Sequence, residues 1–133
     1  MKGVDHIGIA VGDLEVSNKI FEALLNTKCY KIENIPDQKV LTSFFKIGDQ
    51  KIELVAATDV SSPIFKFIDK KGEGIHHIAF EVEDIRSEIK RLKKEGFQAL
   101  SEEPLKGADN KLVIFFHPKT TNGVLIELCQ EIR

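Results

Sequence analysis

The sequence predicts an α+β fold made of two tandem βαβββ modules that together form one curved mixed sheet. Residues 4–11 recur as residues 75–82, where His77 stands 71 positions after His6. An aspartate and a helical pattern follow each copy. An Ile-Glu-Leu sequence ends each module, at residues 52–54 and 126–128. Two copies of one strand–helix–three-strand unit account for all of these observations.

The chain of 133 residues is predicted to be a single domain. Its first module covers about residues 1–58, a linker helix about 62–72, and the second module about 74–133. With 42% hydrophobic residues, 30% charged residues and a net charge of -2, the composition argues against nucleic acid and anionic membranes as partners. No apolar run approaches the roughly 20 residues of a membrane helix, and a cytoplasmic location is expected.

The first module begins with an alternating strand at residues 4–11, in which His6 shares a face with small residues. Asp13 is predicted to cap the following helix, and Asn26 to end it. The residues predicted to pack this helix on the sheet have the spacing i, i+3, i+4, i+7: Ser17, Ile20, Phe21 and Leu24.

Three further strands complete the first module. They are predicted at residues 29–33, 40–45 and 50–55, and Gly48-Asp49 is typical of the hairpin turn that joins the last two. The sequence therefore indicates the order strand, helix, strand, strand, strand.

The second module repeats this order. Asp84 is predicted to cap its helix and Gly96 to end it. The apolar strand 112–116 repeats the earlier pair of phenylalanines at the same offset of 71. The hairpin loop at residues 118–123 is three residues longer than its counterpart, which places the last strand at an offset of 74.

Each module thus begins with a strand that carries a histidine and ends with a strand that carries a glutamate. The aliphatic neighbours of each glutamate must pack on the helix side, so the carboxylates turn to the face that holds the histidines. Buried carboxylates need a partner or a metal, and two imidazoles with two carboxylates suit a divalent transition ion. The candidate ligands are His6, Glu53, His77 and Glu127.

Single residues of these types are more often structural, and only their symmetric recurrence favours the metal site. His76 falls on the opposite face of its strand and is expected to pack. His117 precedes Pro118 at a strand end, where nothing in the sequence supports a role in ligand binding.

Several segments of the sequence resemble those of the vicinal oxygen chelate superfamily and, within it, of the methylmalonyl-CoA epimerase family. They cover nearly the whole chain, at residues 5–11, 51–54, 62–64, 72–80, 117–119 and 123–128. The resemblance implies that both modules share one central metal site. It also implies proton removal and return at C2 of an acyl-CoA, and a homodimer.

The resemblance further implies a role for particular residues. The four candidate ligands would hold a divalent ion such as Co, Ni, Mn or Zn. The family has a carboxylate ahead of the third strand, often in a Glu-Gln-Gly-Val phrase, as a base that moves the proton. This chain reads Asp37-Gln38-Lys39-Val40, so Asp37 takes that place and Lys39 replaces a glycine. Glu127, at the metal, is predicted to be the second base.

Other functions remain open at this stage. Glyoxalase I shares the fold and similar ligands but acts on a glutathione hemithioacetal. An extradiol dioxygenase usually confines its iron ligands to one module, and antibiotic-sequestering binders commonly lack metal ligands. Lysines are predicted to be solubilising surface charges rather than contacts to the CoA phosphates; they include Lys39, Lys106, Lys111 and Lys119.

Overall fold

The computed structural model describes residues 1–132, which have an α+β fold of eight strands and three α-helices. These residues form two compact units. The N-terminal unit contains residues 6–76, and the C-terminal unit contains residues 1–5 and 77–132. The predicted fold class is confirmed, whereas the single domain stays a prediction.

The N-terminal unit contains the first strand from residue 6 onward, the first helix, three further strands and the linker helix. Their bounds are β1 Gly3–Ala10, α1 Leu14–Leu25, β2 Lys31–Ile35, β3 Val40–Ile47, β4 Gln50–Ala57 and α2 Pro63–Lys71. Strand β4 pairs with β1 in parallel and with β3 in antiparallel orientation, and β2 pairs with β3. The strand order in this unit is therefore β2-β3-β4-β1.

The C-terminal unit repeats the same topology. Its elements are β5 Gly74–Glu81, which enters this unit at residue 77, α3 Ile85–Lys94, β6 Leu105–Lys106, β7 Lys111–Phe116 and β8 Ile126–Glu131. Strand β8 pairs in parallel with β5 and antiparallel to β7, and β7 pairs with the short β6. The order β6-β7-β8-β5 is the counterpart of the order in the other unit.

The predicted helix caps are confirmed. The Asp13 side chain accepts a hydrogen bond from the N–H of Val16 at 3.1 Å, and the Asp84 side chain accepts one from Ser87 at 3.2 Å. Asn26 ends α1 in the left-handed conformation, with φ 52°. Each aspartate satisfies an N–H group that the first turn of a helix leaves without an intrahelical partner.

The face that α1 buries differs from the prediction. Leu14 and Ser17 are buried, and the ring of Phe21 lies 6.5 Å from that of Phe45, but Ile20 is 58% and Leu24 70% exposed. Successive helical residues turn by about 100°, so two apolar stripes fit on one helix. Packing against Phe45 in β3 selects the stripe that begins at Leu14, and the predicted inward positions of Ile20 and Leu24 are wrong.

This difference predicts a small effect of changing Leu24. Leu24→Ser should alter the free energy of unfolding by no more than about 0.5 kcal/mol, because the side chain is already mostly in water. Chemical denaturation of the variant and the wild type measures this. A loss of several kcal/mol, the size expected for truncating a core leucine such as Leu54, would contradict the observed helix face.

No α-helix among residues 1–132 combines the length and apolar character needed to cross a membrane.

Candidate functional site

The N-terminal unit pairs His6 with Glu53. The Nδ1 atom of His6 lies 3.1 Å from Oε2 of Glu53, and these side chains are only 5% and 6% exposed. Glu53 in β4 stands opposite Gly8 of β1, two residues after His6. Residues two apart share a face of a strand, so this register brings the imidazole and the carboxylate together.

The C-terminal unit pairs His77 with Glu127 in the same way. The Nε2 atom of His77 lies 3.1 Å from Oε1 of Glu127, with side chains 7% and 6% exposed. Glu127 in β8 stands opposite Ala79 of β5, again two residues after the histidine. Phe115 in β7 stands opposite Glu127, and its ring meets the ring of His77 edge to face at a centroid distance of 5.5 Å. The aromatic contact favours this orientation of the imidazole.

The predicted orientation of both glutamates is confirmed by the residues beside them. Leu54 is fully buried in a cluster with Leu14 at the start of α1. Leu128 is fully buried in a cluster with Ile85 and Ile89 of α3. Because strand side chains alternate, each glutamate must face away from the helices, as its histidine does.

The chemistry of each pair suits metal binding. An ionised carboxylate that is about 95% buried carries a large desolvation cost unless positive charge compensates it. A protonated histidine or a bound cation provides that charge. Imidazole nitrogen and carboxylate oxygen are both ligands of divalent transition ions, so each pair offers one nitrogen and one oxygen donor.

The two other histidines have local structural contacts. His76 packs its ring edge to face on Phe67 of α2 at 4.9 Å, which agrees with the expected packing role. The Nδ1 atom of His117 accepts a hydrogen bond from the N–H of Lys119 at 3.1 Å and so caps a short 3₁₀ turn. The structure therefore distinguishes His77 from its neighbour His76.

Asp37 lies in the 3₁₀ turn Pro36–Gln38, directly ahead of β3, and its side chain is exposed. The turn ends at Lys39, which adopts the left-handed conformation with φ 55° and ψ 48°. The predicted position of a carboxylate ahead of the third strand is confirmed, and its catalytic role stays a prediction.

Lys111 is not the surface lysine that was predicted. Its Nζ atom lies 2.7 Å from Oδ1 of Asp5, and the two side chains are 7% and 8% exposed. A buried ion pair compensates both desolvated charges, and loss of either partner would leave the other uncompensated. The repeat contained a signal of this burial, because Lys111 stands at the position of Val40 in the first copy, which is also buried.

Comparison with known proteins gives consistent matches over nearly the whole chain. A profile of the Glyoxalase/Bleomycin resistance protein/Dioxygenase superfamily matches residues 5–115. The chain is 41% identical over 129 residues to the ethylmalonyl-CoA/methylmalonyl-CoA epimerase of Cereibacter sphaeroides, which is 96% of each protein.

Solved structures agree with these sequence matches. The methylmalonyl-CoA epimerase of Mycobacterium tuberculosis is 35% identical, with a TM-score of 0.94 over 98% of this chain and 89% of that one. A methylmalonyl-CoA epimerase in complex with methylmalonyl-CoA and NH4+ is 31% identical, with a TM-score of 0.95 over 98% of this chain and 95% of that one.

Proposed function

Because the chain belongs to the methylmalonyl-CoA epimerase family of the glyoxalase/bleomycin resistance/dioxygenase superfamily, we propose that it interconverts (2R)- and (2S)-methylmalonyl-CoA. The observation that carries the proposal is the repeated buried His–Glu pair, and the 41% identity to an epimerase over 96% of the chain supports it. The reaction removes the proton at C2 and returns a proton to the opposite face.

The four residues of the two pairs are proposed to hold one divalent ion, such as Co, Ni, Mn or Zn. The donor set fits such an ion, because it offers two imidazoles and two carboxylates, all nearly buried. When bound, such an ion would act as a Lewis acid and stabilise the negative charge that develops as the C2 proton leaves. The proposed ligands are His6, Glu53, His77 and Glu127.

Two carboxylates are proposed to move the proton. The C2 proton is far less acidic than a carboxylic acid, so each base needs a fixed position beside it as well as a favourable protonation state. Asp37, in the turn ahead of β3, is assigned to one face of C2, and Glu127 to the other. Glu127 would combine this role with metal binding, so we expect its substitution to affect both metal content and turnover.

The proposal also includes a substrate class, an oligomeric state and a cellular location. Acyl-CoA is the proposed substrate, as in the epimerase complex with methylmalonyl-CoA. By analogy with its superfamily, the chain is proposed to form a homodimer. A cytoplasmic location is a separate part of the proposal. Analytical ultracentrifugation of the purified protein tests the dimer, and a monomer at micromolar concentration would contradict it.

The proposed function predicts exchange at C2. The purified protein, analysed for bound divalent metal, should incorporate deuterium from D₂O into C2 of methylmalonyl-CoA and should racemise a single epimer. Mass spectrometry and a chiral coupled assay measure the two outcomes. The glutathione hemithioacetal of methylglyoxal is the control substrate: its conversion without exchange in methylmalonyl-CoA would instead establish a glyoxalase I.

A further inference from the structure

The residue that ends the turn carrying Asp37 has an unusual backbone for a lysine. Lys39 has φ 55°, and its N–H donates a hydrogen bond to the carbonyl of Pro36 at 3.1 Å. In this left-handed region the Cβ atom of an L residue crowds the backbone, so a long side chain is found there infrequently. Such a conformation persists where surrounding contacts impose it.

Those contacts come from the segment between β4 and α2. The carbonyl of Lys39 accepts a hydrogen bond from the N–H of Thr58 at 2.9 Å. The Nζ atom of Lys39 donates to Oγ of Ser61 at 2.6 Å. One residue earlier in the turn, the carbonyl of Gln38 accepts a longer bond from Oγ of Ser62 at 3.5 Å. Side-chain and backbone contacts therefore join the turn to residues 58–62.

The acceptor for the lysine is itself held in place. The N–H of Ser61 donates to Oδ1 of Asp59 at 2.9 Å. Hydrogen bonds from the backbone and the hydroxyl of Ser61 hold the pKa of the Asp59 carboxyl below its usual range, and the charge of Lys39 acts in the same direction. Ser62, which is fully buried, caps α2 through a bond from the N–H of Ile64. The hydrogen bond from the Lys39 side chain, called the tether below, therefore ends on a segment that leads directly into α2.

We propose that Lys39 is a positioning residue for Asp37, acting through its bond to Ser61. This inference rests on the proposed function, in which Asp37 is a base. An aspartate has only one methylene group between its backbone and its carboxylate, so the backbone of the turn sets where the carboxylate lies. Since Asp37 is exposed in a three-residue turn, the contacts of Lys39 at the end of that turn determine its placement.

A set of four variants tests the tether with the metal-loaded full chain. Lys39→Met removes the donor and keeps the length, Ser61→Ala removes the acceptor, and the double variant removes both. Lys39→Arg restores a donor. A misplaced base costs between about 10-fold and 100-fold in rate, so kcat should fall by that factor in Lys39→Met and in Ser61→Ala. Because both substitutions remove the same hydrogen bond, kcat should fall no further in the double variant. We expect KM and metal content to stay within about 2-fold of wild type, and Lys39→Arg to recover part of kcat.

Lys39→Gly separates positioning from general stability. Glycine adopts φ 55° without strain, so the thermal midpoint should stay the same or rise while kcat falls as in Lys39→Met. A parallel fall of both quantities would assign Lys39 a purely structural role.

Three further outcomes would overturn the inference. A higher KM in Lys39→Met but not in Ser61→Ala would show that the lysine binds the substrate directly. An unchanged kcat in both Lys39→Met and Ser61→Ala, with an active wild type, would refute the positioning role of Lys39 and leave the proposed function intact. A wild type that neither racemises methylmalonyl-CoA nor exchanges its C2 proton would refute the proposed function as well, and this control is measured first.

Discussion

His77→Ala should abolish tight binding of the divalent ion and lower turnover of methylmalonyl-CoA by about 10³-fold or more. The side chain of His77 lies 3.1 Å from the carboxylate of Glu127 and is 7% exposed, so alanine would remove a nitrogen donor and leave a buried carboxylate beside a cavity. A bound ion would stabilise the negative charge that develops as the C2 proton leaves, so its loss should raise the barrier by several kcal/mol, and about 4 kcal/mol corresponds to 10³-fold.

The adjacent histidine provides a matched control. His76→Ala removes an aromatic contact to Phe67 but no proposed ligand, so we expect wild-type metal content and turnover with a modest loss of stability. Metal content by mass spectrometry and racemisation rates are compared for both variants. Since an ion that binds only the native state stabilises it, added metal should raise the thermal midpoint of His76→Ala but not of His77→Ala. An ion retained at wild-type affinity in His77→Ala would refute the ligand assignment.

Asp37→Ala should lower racemisation by about 10²-fold to 10⁴-fold, which is the contribution expected of one general base. The exposed turn that carries Asp37 lies outside both His–Glu pairs, so metal content should not change. In a mechanism with two bases, each base exchanges the C2 proton of one epimer. Deuterium incorporation should therefore be lost for one epimer of methylmalonyl-CoA and kept for the other.

Asp49→Ala is the control for this variant, because Asp49 is also an exposed aspartate in a tight turn but has no proposed role. Its rate should equal that of the wild type. Equal exchange of both epimers in Asp37→Ala would remove Asp37 from the mechanism. Loss of exchange for both epimers together with loss of metal would instead indicate an effect on the metal ligands.

The predictions for His77 and Asp37 test two parts of one reaction, which are charge stabilisation and proton removal. A carboxylate cannot remove a weakly acidic C2 proton unless the resulting charge is stabilised, so metal binding by the His–Glu pairs and proton transfer by Asp37 should fail separately. Comparison of metal content with exchange in the same variants distinguishes the two roles.

The sequence by itself predicted the repeated fold and that the histidine and the glutamate of each module face the same side of the sheet. Strand periodicity placed each glutamate on the face opposite its aliphatic neighbours, and the offsets of 71 and 74 matched His6 with His77 and Glu53 with Glu127. The structure shows that the histidine and the glutamate of each module meet at 3.1 Å. These features were predictable because alternation along a strand is local, and because an internal repeat places the same residue types at the same positions of both modules.

Only the tertiary structure decided which apolar stripe α1 buries, that Lys111 pairs with Asp5, and that Lys39 reaches Ser61. The helix packs on Phe45 of β3, which is distant from α1 in the sequence. Leu14 and Phe21 therefore face inward, whereas Ile20 and Leu24 do not. The partners of the two lysines are 106 and 22 residues away in the chain. Burial and pairing of a charge depend on such distant contacts, and local patterns in a sequence do not specify them.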